Sequence, residues 1–246
     1  MTSKYVRQLT GWSLILGSLL VNIPYALLIS NFDYPDILRA PVDQILRQFA
    51  AGGSGLIYIW LAFAWVGLPL LFASIMLKRL PEFAGAALSE TASTIGVIGF
   101  VMQVIGLLRW VFVVPIIAQS YLDPLASAAT KASLATMFQV VHQYGGVVLG
   151  EHIGQLFMII WMLLLSAIIY RSASFPKWLA WLGWLAAFIY SLAQTELLAT
   201  VLPTIPVIDW TGLVGSLLWL AWMTSLGIMI LRQKNAINEV FHARIN

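Results

Sequence analysis

A chain of 246 residues in which 61% are hydrophobic and 9% are charged is too apolar for a soluble domain, since soluble proteins average about 45–50% apolar and 25% charged residues. The net charge of +3 comes from scattered basic residues, which argues against nucleic-acid binding, and the lack of cysteine excludes thiolate metal sites, iron–sulfur clusters and disulfides. With a mean hydropathy of +0.89, the composition predicts one membrane domain over residues 1–246.

Six apolar segments each reach the roughly 20 residues that a helix needs to cross a bilayer. They predict an all-α, polytopic membrane protein with six transmembrane helices, at residues 10–30, 55–77, 91–118, 143–169, 178–202 and 211–231. The first segment follows Lys4 and Arg7 but has no small-residue cleavage site, so we interpret it as a retained span and not as a signal peptide.

The basic residues between the spans predict the orientation, because short loops rich in Lys and Arg stay in the cytoplasm. On the side of both termini lie Lys4, Arg7, Lys78, Arg79, Arg171, Lys177, Arg232, Lys234 and Arg244. On the opposite side lie Arg39, Arg47 and Lys131. This ratio of nine to three predicts cytoplasmic termini.

The two long outer loops, after spans one and three, are predicted to contain amphipathic helices. In residues 34–51 the apolar positions Ile37, Leu38, Val42, Ile45, Leu46 and Phe49 recur at helical spacing, with Asp36, Arg39, Asp43 and Arg47 mostly on the other face. Residues 121–138 show a similar pattern, and Gly52, Gly53 and Gly55 predict a break before the second span. We expect both helices to lie on the outer membrane surface, where they could dock a protein partner.

Three charged residues lie within the predicted spans: Arg109, Glu151 and Glu196. Each is 19 or 20 residues from the nearest charge on the terminal side, which places all three about 28–30 Å along their helices, in one layer of the outer half. A charge within a span usually faces a partner inside the bundle, so we predict an Arg109–Glu151 pair with Glu196 as competitor or third member. If Glu196 is ionised the trio has a net negative charge, which a bound cation or proton would balance.

The fourth span combines small and polar residues. Gly146, Gly150 and Gly154 recur every four residues and predict a face on which another helix packs closely. Projected as an α-helix, Glu151 lies beside that face, with His152 about 100° further round. The polar residues of this layer form the candidate ligand-binding set: Gln103, Arg109, Tyr144, Glu151, His152, Gln155 and Glu196.

Two prolines within spans favour a cavity near this layer. Pro24 and Pro115 each remove a backbone hydrogen bond, which frees the carbonyls of Leu20 and Val111. A metal or cofactor is not predicted: His142 and His152 are ten residues apart, about 15 Å along a straight helix, and cannot both bind one ion.

Four stretches give the chain a resemblance to a known family: residues 32–39 (FDYPDILR), 108–115 (LRWVFVVP), 150–154 (GEHIG) and 175–179 (FPKWL). With them the chain resembles, over nearly its whole length, an uncharacterised bacterial six-span membrane family known only as a domain of unknown function. The resemblance implies the bacterial inner membrane, but it brings no activity and no site residues.

Two functions of different classes fit these residues. In the first, the polar layer binds a small amphiphile, a lipid headgroup or a proton, as in a transporter or sensor. In the second, the protein is a structural or accessory subunit, and the Arg109–Glu151 pair only fixes helix packing. An intramembrane enzyme with Glu151 or His152 as general base is a lesser alternative, because no nucleophile or metal set accompanies them.

Overall fold

The structure, a computed structural model, describes residues 3–233, and this part of the chain contains six helical segments long and apolar enough to cross a membrane. We call them spans 1 to 6: Lys4–Phe32, Val42–Arg79, Ser89–Tyr121, Ala128–Arg171, Lys177–Ala199 and Trp210–Arg232. The predicted all-α, multi-pass membrane fold is confirmed. The fifth predicted span extended to residue 202, whereas the helix ends at Ala199, because Pro203 disfavours helical backbone in the residue before it.

The spans are built from eleven α-helices and one π-helix within the described residues. They are α1 (Ser3–Leu20), α2 (Asn22–Phe32), α3 (Val42–Trp65), α4 (Leu68–Met76), α5 (Ser89–Phe112), α6 (Val114–Tyr121), α7 (Ala128–Val141), the π-helix (His142–Ile153), α8 (Gly154–Arg171), α9 (Lys177–Leu192), α10 (Gln194–Ala199) and α11 (Trp210–Arg232). Short 3₁₀ turns lie at Asp36–Arg39 and Leu77–Arg79.

Most spans are interrupted, and two of the interruptions are explained by a nearby proline. Span 1 breaks at Val21 and span 3 at Val113, shortly before Pro24 and Pro115, as the missing N–H groups require. In span 1 the Asn22 side chain partly compensates, because its amide donates to the carbonyls of Ser18 and Leu19 at 3.0 and 3.1 Å. The breaks let each half of a span take its own direction.

The loop after span 1 folds back onto the bundle. Its apolar residues Ile37, Leu38, Ile45, Leu46 and Phe49 are buried and belong to one hydrophobic cluster with Phe32, Trp60 and Trp110. Trp60 and Trp110 stack with their ring centroids 4.9 Å apart. The apolar face that was expected to rest on the membrane surface therefore packs against the protein, because this aromatic cluster offers it a closer partner.

Both amphipathic segments are joined to the spans that follow them. The first is the start of α3, which continues into span 2 across Gly53, where φ is 54° and ψ is −151°, a conformation that favours glycine. The second is α7, which runs directly into the π-helix and α8 of span 4. The predicted glycine break is thus a kink within a helix.

The two ends of the described chain meet on one side of the bundle, which we call the terminal side; the opposite side is the loop side. Arg7 Nη1 donates to the carbonyl of Ile230 at 3.3 Å, and Arg7 Nη2 lies 2.8 Å from Glu82 Oε1. Both side chains of this ion pair are buried, so it holds spans 1 and 6 to the loop before span 3. Lys234 and Arg244, which entered the charge count, lie outside the described residues.

Spans 3 and 4 pack closely through glycine. A β-carbon added at Gly150 would lie 2.9 Å from the α-carbon of Gly106, and one added at Gly154 would lie 2.7 Å from the Gln103 side chain. The stretch from His142 to Ile153 is a π-helix, so projecting it with α-helical angles was wrong. Its glycines leave room for this wider backbone beside α5.

Candidate functional site

An ion-pair network on the loop side joins the loop after span 1 to spans 3, 4 and 5. Arg39 Nη2 lies 3.0 Å from Glu151 Oε2 and 3.1 Å from Glu196 Oε1, so one guanidinium bridges both glutamates. Partial burial lowers the pKa of Arg39, but the two carboxylates outweigh this effect, so the pKa lies above its ordinary value. Arg39 is charged here at physiological pH.

Arg39 was missed by the sequence analysis, which placed it on the outward face of a surface helix. With Arg39 the network contains two guanidinium groups and two carboxylates, so Arg39 supplies the positive charge that was expected from a bound cation or proton. The signal that could have found it was that same excess of negative charge, because two carboxylates within predicted spans for one arginine call for a second cation nearby.

Arg109 is the buried member of the network, with 7% of the residue exposed. Its Nη2 lies 3.9 Å from Glu151 Oε1, a loose contact, and its Nη1 donates to the carbonyl of Gly106 on its own helix. Its Nε has no hydrogen-bond partner among the described residues. A β-carbon at Gly146 would collide with the guanidinium, so this glycine makes the space that Arg109 occupies.

A cavity of about 240 Å³ lies beside Arg109 and is lined by all six spans. Its polar wall includes Gln103, Arg109, Glu151 and Gln155. Its apolar walls include Leu70, Phe100, Trp219 and Leu220. The cavity therefore has a charged end on the loop side and an apolar body that reaches toward the middle of the bundle.

Three tyrosines also line the cavity: Tyr25, Tyr34 and Tyr190. Their hydroxyl groups form no hydrogen bond with another described residue, and the groups are close enough to Glu151 or to each other to interact electrostatically. Burial, and then the Glu151 carboxylate, raise the pKa of Tyr34, so its phenol stays protonated and can donate a hydrogen bond at neutral pH.

The cavity reaches the lipid-facing surface between spans 1 and 6. On the terminal side α1 packs along α11, but after the break at Val21 helix α2 packs chiefly against α3. Leu213 and Leu217 of α11 and Asn22 of span 1 line the cavity and are nevertheless exposed. These exposed lining residues mark a side opening of the cavity between α2 and α11.

A chain of hydrogen bonds runs from His152 to the cavity wall. His152 Nδ1 and Gln194 Oε1 are 2.7 Å apart, and Gln194 Nε2 donates to Gln155 Oε1 at 2.7 Å. Gln155 lines the cavity, so its amide is oriented by two residues behind it. Gln194 was not predicted as a site residue, because its contacts depend on how α8 meets the break in span 5 between Leu192 and Gln194.

The other predicted site residues occupy different places. Gln103, Arg109, Glu151 and Gln155 line the cavity, whereas Glu196 does not and is linked to Glu151 through Arg39. Tyr144 is 63% exposed and is not brought to the cavity. His142, which was given no role, donates from Nε2 to the carbonyl of Leu38 at 3.1 Å and fastens the loop after span 1 to the π-helix.

The comparisons with known proteins give a family and no activity. The family model described as "Domain of unknown function (DUF4386)" matches residues 9–233. No curated protein and no solved structure matches the chain significantly.

Proposed function

The chain belongs to this family of unknown function, and from the geometry of the cavity we propose that the protein binds a small amphiphile taken from the bilayer. The polar group of the amphiphile would lie beside Arg109 and Glu151. The alkyl chain of the amphiphile would occupy the apolar body of the cavity or leave through the opening between α2 and α11. Arg109 would act as counter-ion, Glu151 as a partner that can take up a proton, and Gln155 as an orienting amide.

The observation that carries this proposal is the combination of a charged end, an apolar body and a side opening in one cavity. Binding sites for small molecules are mostly apolar with a few placed polar groups. A purely structural ion pair needs neither an apolar chamber nor an opening to lipid. The volume of 240 Å³ is slightly below the roughly 300 Å³ at which ligand pockets usually begin, which favours a single-chain ligand.

We also infer the setting of the site. The excess of Lys and Arg on the terminal side supports cytoplasmic termini, and the family resemblance supports the bacterial inner membrane. In that orientation the charged end of the cavity and Arg39 face the periplasmic half of the bilayer. Such a site would serve transport or sensing equally, since both begin with binding.

Photo-crosslinking tests the proposal. A dodecyl amphiphile that carries a diazirine in its chain is added to the protein in nanodiscs, irradiated, and located by peptide mass spectrometry. We expect adducts on cavity residues such as Phe100 and Leu220. Gly67→Phe should suppress them, because Gly67 lines the cavity and a side chain there meets little else. Gly55→Phe, in open space on the same span, is the matched control.

Adducts confined to outward-facing side chains such as Leu16 and Ile116 would contradict the binding proposal. They would favour the second candidate, a structural role. One observation supports that candidate: Arg39 bridges two glutamates on spans 4 and 5, and such a bridge holds the loop to the bundle whether or not anything binds.

A further inference from the structure

The hydrogen-bonding groups at the charged end of the cavity are unequally satisfied. Arg39 occupies one carboxylate oxygen of Glu151 and one of Glu196 at 3.0 and 3.1 Å. Arg109 has its nearest carboxylate oxygen at 3.9 Å and an Nε without a partner among the described residues. The least satisfied charged group at this end is therefore a guanidinium, which can only donate hydrogen bonds.

Tyrosines that line the same cavity as Arg109 add further donors. The hydroxyls of Tyr34 and Tyr190 line the same cavity and form no hydrogen bond with another described residue. Hydrogen bonds from N–H or O–H to an ionised oxygen are the strongest that side chains form. This end of the cavity is thus built to receive an acceptor.

The charge balance limits which acceptor fits. Two guanidinium groups and two carboxylates already neutralise one another, so each added negative charge lacks its own counter-ion. A phosphate monoester would add about 1.5 to 2 negative charges at neutral pH, whereas a carboxylate adds one. The planar carboxylate also matches the two-pronged geometry of a guanidinium.

We propose that the ligand is a single-chain monocarboxylic acid, whose carboxylate is bound by Arg109 with the hydroxyls of Tyr34 and Tyr190. This identification rests on the proposed function and names the chemical class of its ligand. The loose Arg109–Glu151 contact is then the place where the carboxylate enters. Arg39 keeps Glu151 and Glu196 paired while it does so.

The test compares four probes on the wild-type protein in nanodiscs, by competition against the photoreactive dodecyl amphiphile. The probes are dodecanoate, 1-dodecanol, dodecylamine and butanoate. We expect dodecanoate to compete at least about tenfold more strongly than the alcohol, because a charged hydrogen bond replaces a neutral one. The amine should compete less than the alcohol, and butanoate should compete weakly because it lacks the chain.

The outcomes separate this inference from the proposed function. If dodecanol and dodecylamine compete as well as dodecanoate, the carboxylate identification is wrong while amphiphile binding stands. If butanoate competes as well as dodecanoate, the ligand is a free small carboxylate and the single-chain identification is overturned. If no probe competes and cavity residues are not labelled, both the inference and the proposed function fail.

Two variants test whether Arg109 and Tyr34 bind the carboxylate. Tyr34→Phe removes one hydroxyl with little change of shape and should weaken dodecanoate about tenfold without weakening dodecanol. Arg109→Gln should abolish the preference for dodecanoate over dodecanol, a ratio that a general loss of stability would not change. A preference that survives both substitutions would overturn the assignment of the head to Arg109 and Tyr34.

Discussion

Two arginine–glutamate networks lie on opposite sides of the same bundle, and they differ in what surrounds them. In the Arg7–Glu82 pair the side chains are 6% and 8% exposed, the ions are 2.8 Å apart, and a backbone carbonyl takes a further hydrogen bond. In the loop-side network Arg39, Glu151 and Glu196 are 32%, 22% and 50% exposed, and Arg109 is held loosely beside a cavity. We call the first network closed because its ions are in direct contact, although Glu82 also lines a space of about 290 Å³ on the terminal side. The second is open, because Arg109 lies beside the cavity at 3.9 Å from its nearest carboxylate oxygen.

The difference shows that a charged residue in a membrane span does not identify a site by itself. Both networks contain a buried arginine with an Nε that lacks a partner among the described residues. The features that distinguish the loop-side network are the apolar chamber, the tyrosine hydroxyls and the side opening. These features depend on how the spans bend. Spans 1, 2, 3 and 5 each consist of two successive α-helices with a break between them.

The largest expected effect is on stability at the closed pair. Arg7→Met leaves Glu82 buried without a counter-ion and should lower the free energy of unfolding by about 3–5 kcal/mol. Thermal unfolding in detergent measures this change. Arg7→Met combined with Glu82→Leu should recover most of the loss, because an apolar pair of similar volume needs no partner. An unchanged melting temperature in the single variant would show that the pair is not buried as described.

The next effect concerns the space for Arg109. Gly146→Ala places a β-carbon against the guanidinium and should displace it, at a cost of about 1–3 kcal/mol in stability, with weaker dodecanoate competition. The matched control is Gly145→Ala, whose β-carbon would lie 3.8 Å from Arg109 Cδ, an ordinary contact. Equal behaviour of the two variants would mean that Arg109 does not need its present position.

A smaller effect, on access to the cavity, is expected when the loop after span 1 is released from the bundle. Arg39→Gln removes the bridge to Glu151 and Glu196. If this bridge stabilises the docked loop by about 1 kcal/mol, its removal raises the fraction of protein with the loop open about fivefold. Because the sequence has no cysteine, Gln103→Cys gives a single reporter in the cavity. Its labelling by a membrane-impermeant thiol reagent from the loop side should accelerate in the Arg39 variant. Equal labelling rates with and without Arg39→Gln would show that the loop after span 1 does not limit access to the cavity from the loop side.

The smallest effect should come from Glu196. Half of its side chain is exposed, and exposed ion pairs contribute about 0–1 kcal/mol. Glu196→Gln should therefore change the melting temperature and dodecanoate competition very little, in contrast to Glu151→Gln, whose carboxylate contacts both arginines. A large drop in melting temperature or in dodecanoate competition in the Glu196 variant would mean that the loop-side network is more enclosed than the comparison with the Arg7–Glu82 pair implies.

The spans and the polar layer could be predicted because they depend on local sequence. Apolar runs of helical length mark the spans, and the distance of Arg109, Glu151 and Glu196 from the terminal-side charges gave a common depth. Two of these residues, Glu151 and Glu196, now share Arg39. This shared contact agrees with similar levels for Glu151 and Glu196 along their helices, and the depth of the layer in the bilayer stays a prediction.

The remaining features depend on contacts between distant segments. Arg39 lies on an amphipathic stretch whose apolar face would suit lipid or protein equally, and the aromatic cluster around Trp110 decides between them. Tyr34 and Tyr190 came to the cavity, whereas Tyr144 faces outward, because the π-helix and the break in span 5 set directions that an α-helical projection does not contain. A sequence shows which residues are polar, but it does not show which side of a bent helix they take.

The most direct test replaces each network by apolar residues and measures dodecanoate competition and thermal unfolding in both proteins. Arg7→Met with Glu82→Leu removes the closed pair, and Arg109→Met with Glu151→Leu removes the buried half of the open one while Arg39 and Glu196 stay paired. We predict that both proteins remain stable, that the first binds dodecanoate like the wild type, and that the second does not. Undiminished binding in the second protein would contradict a ligand site at Arg109 and leave the loop-side network a structural element like its counterpart.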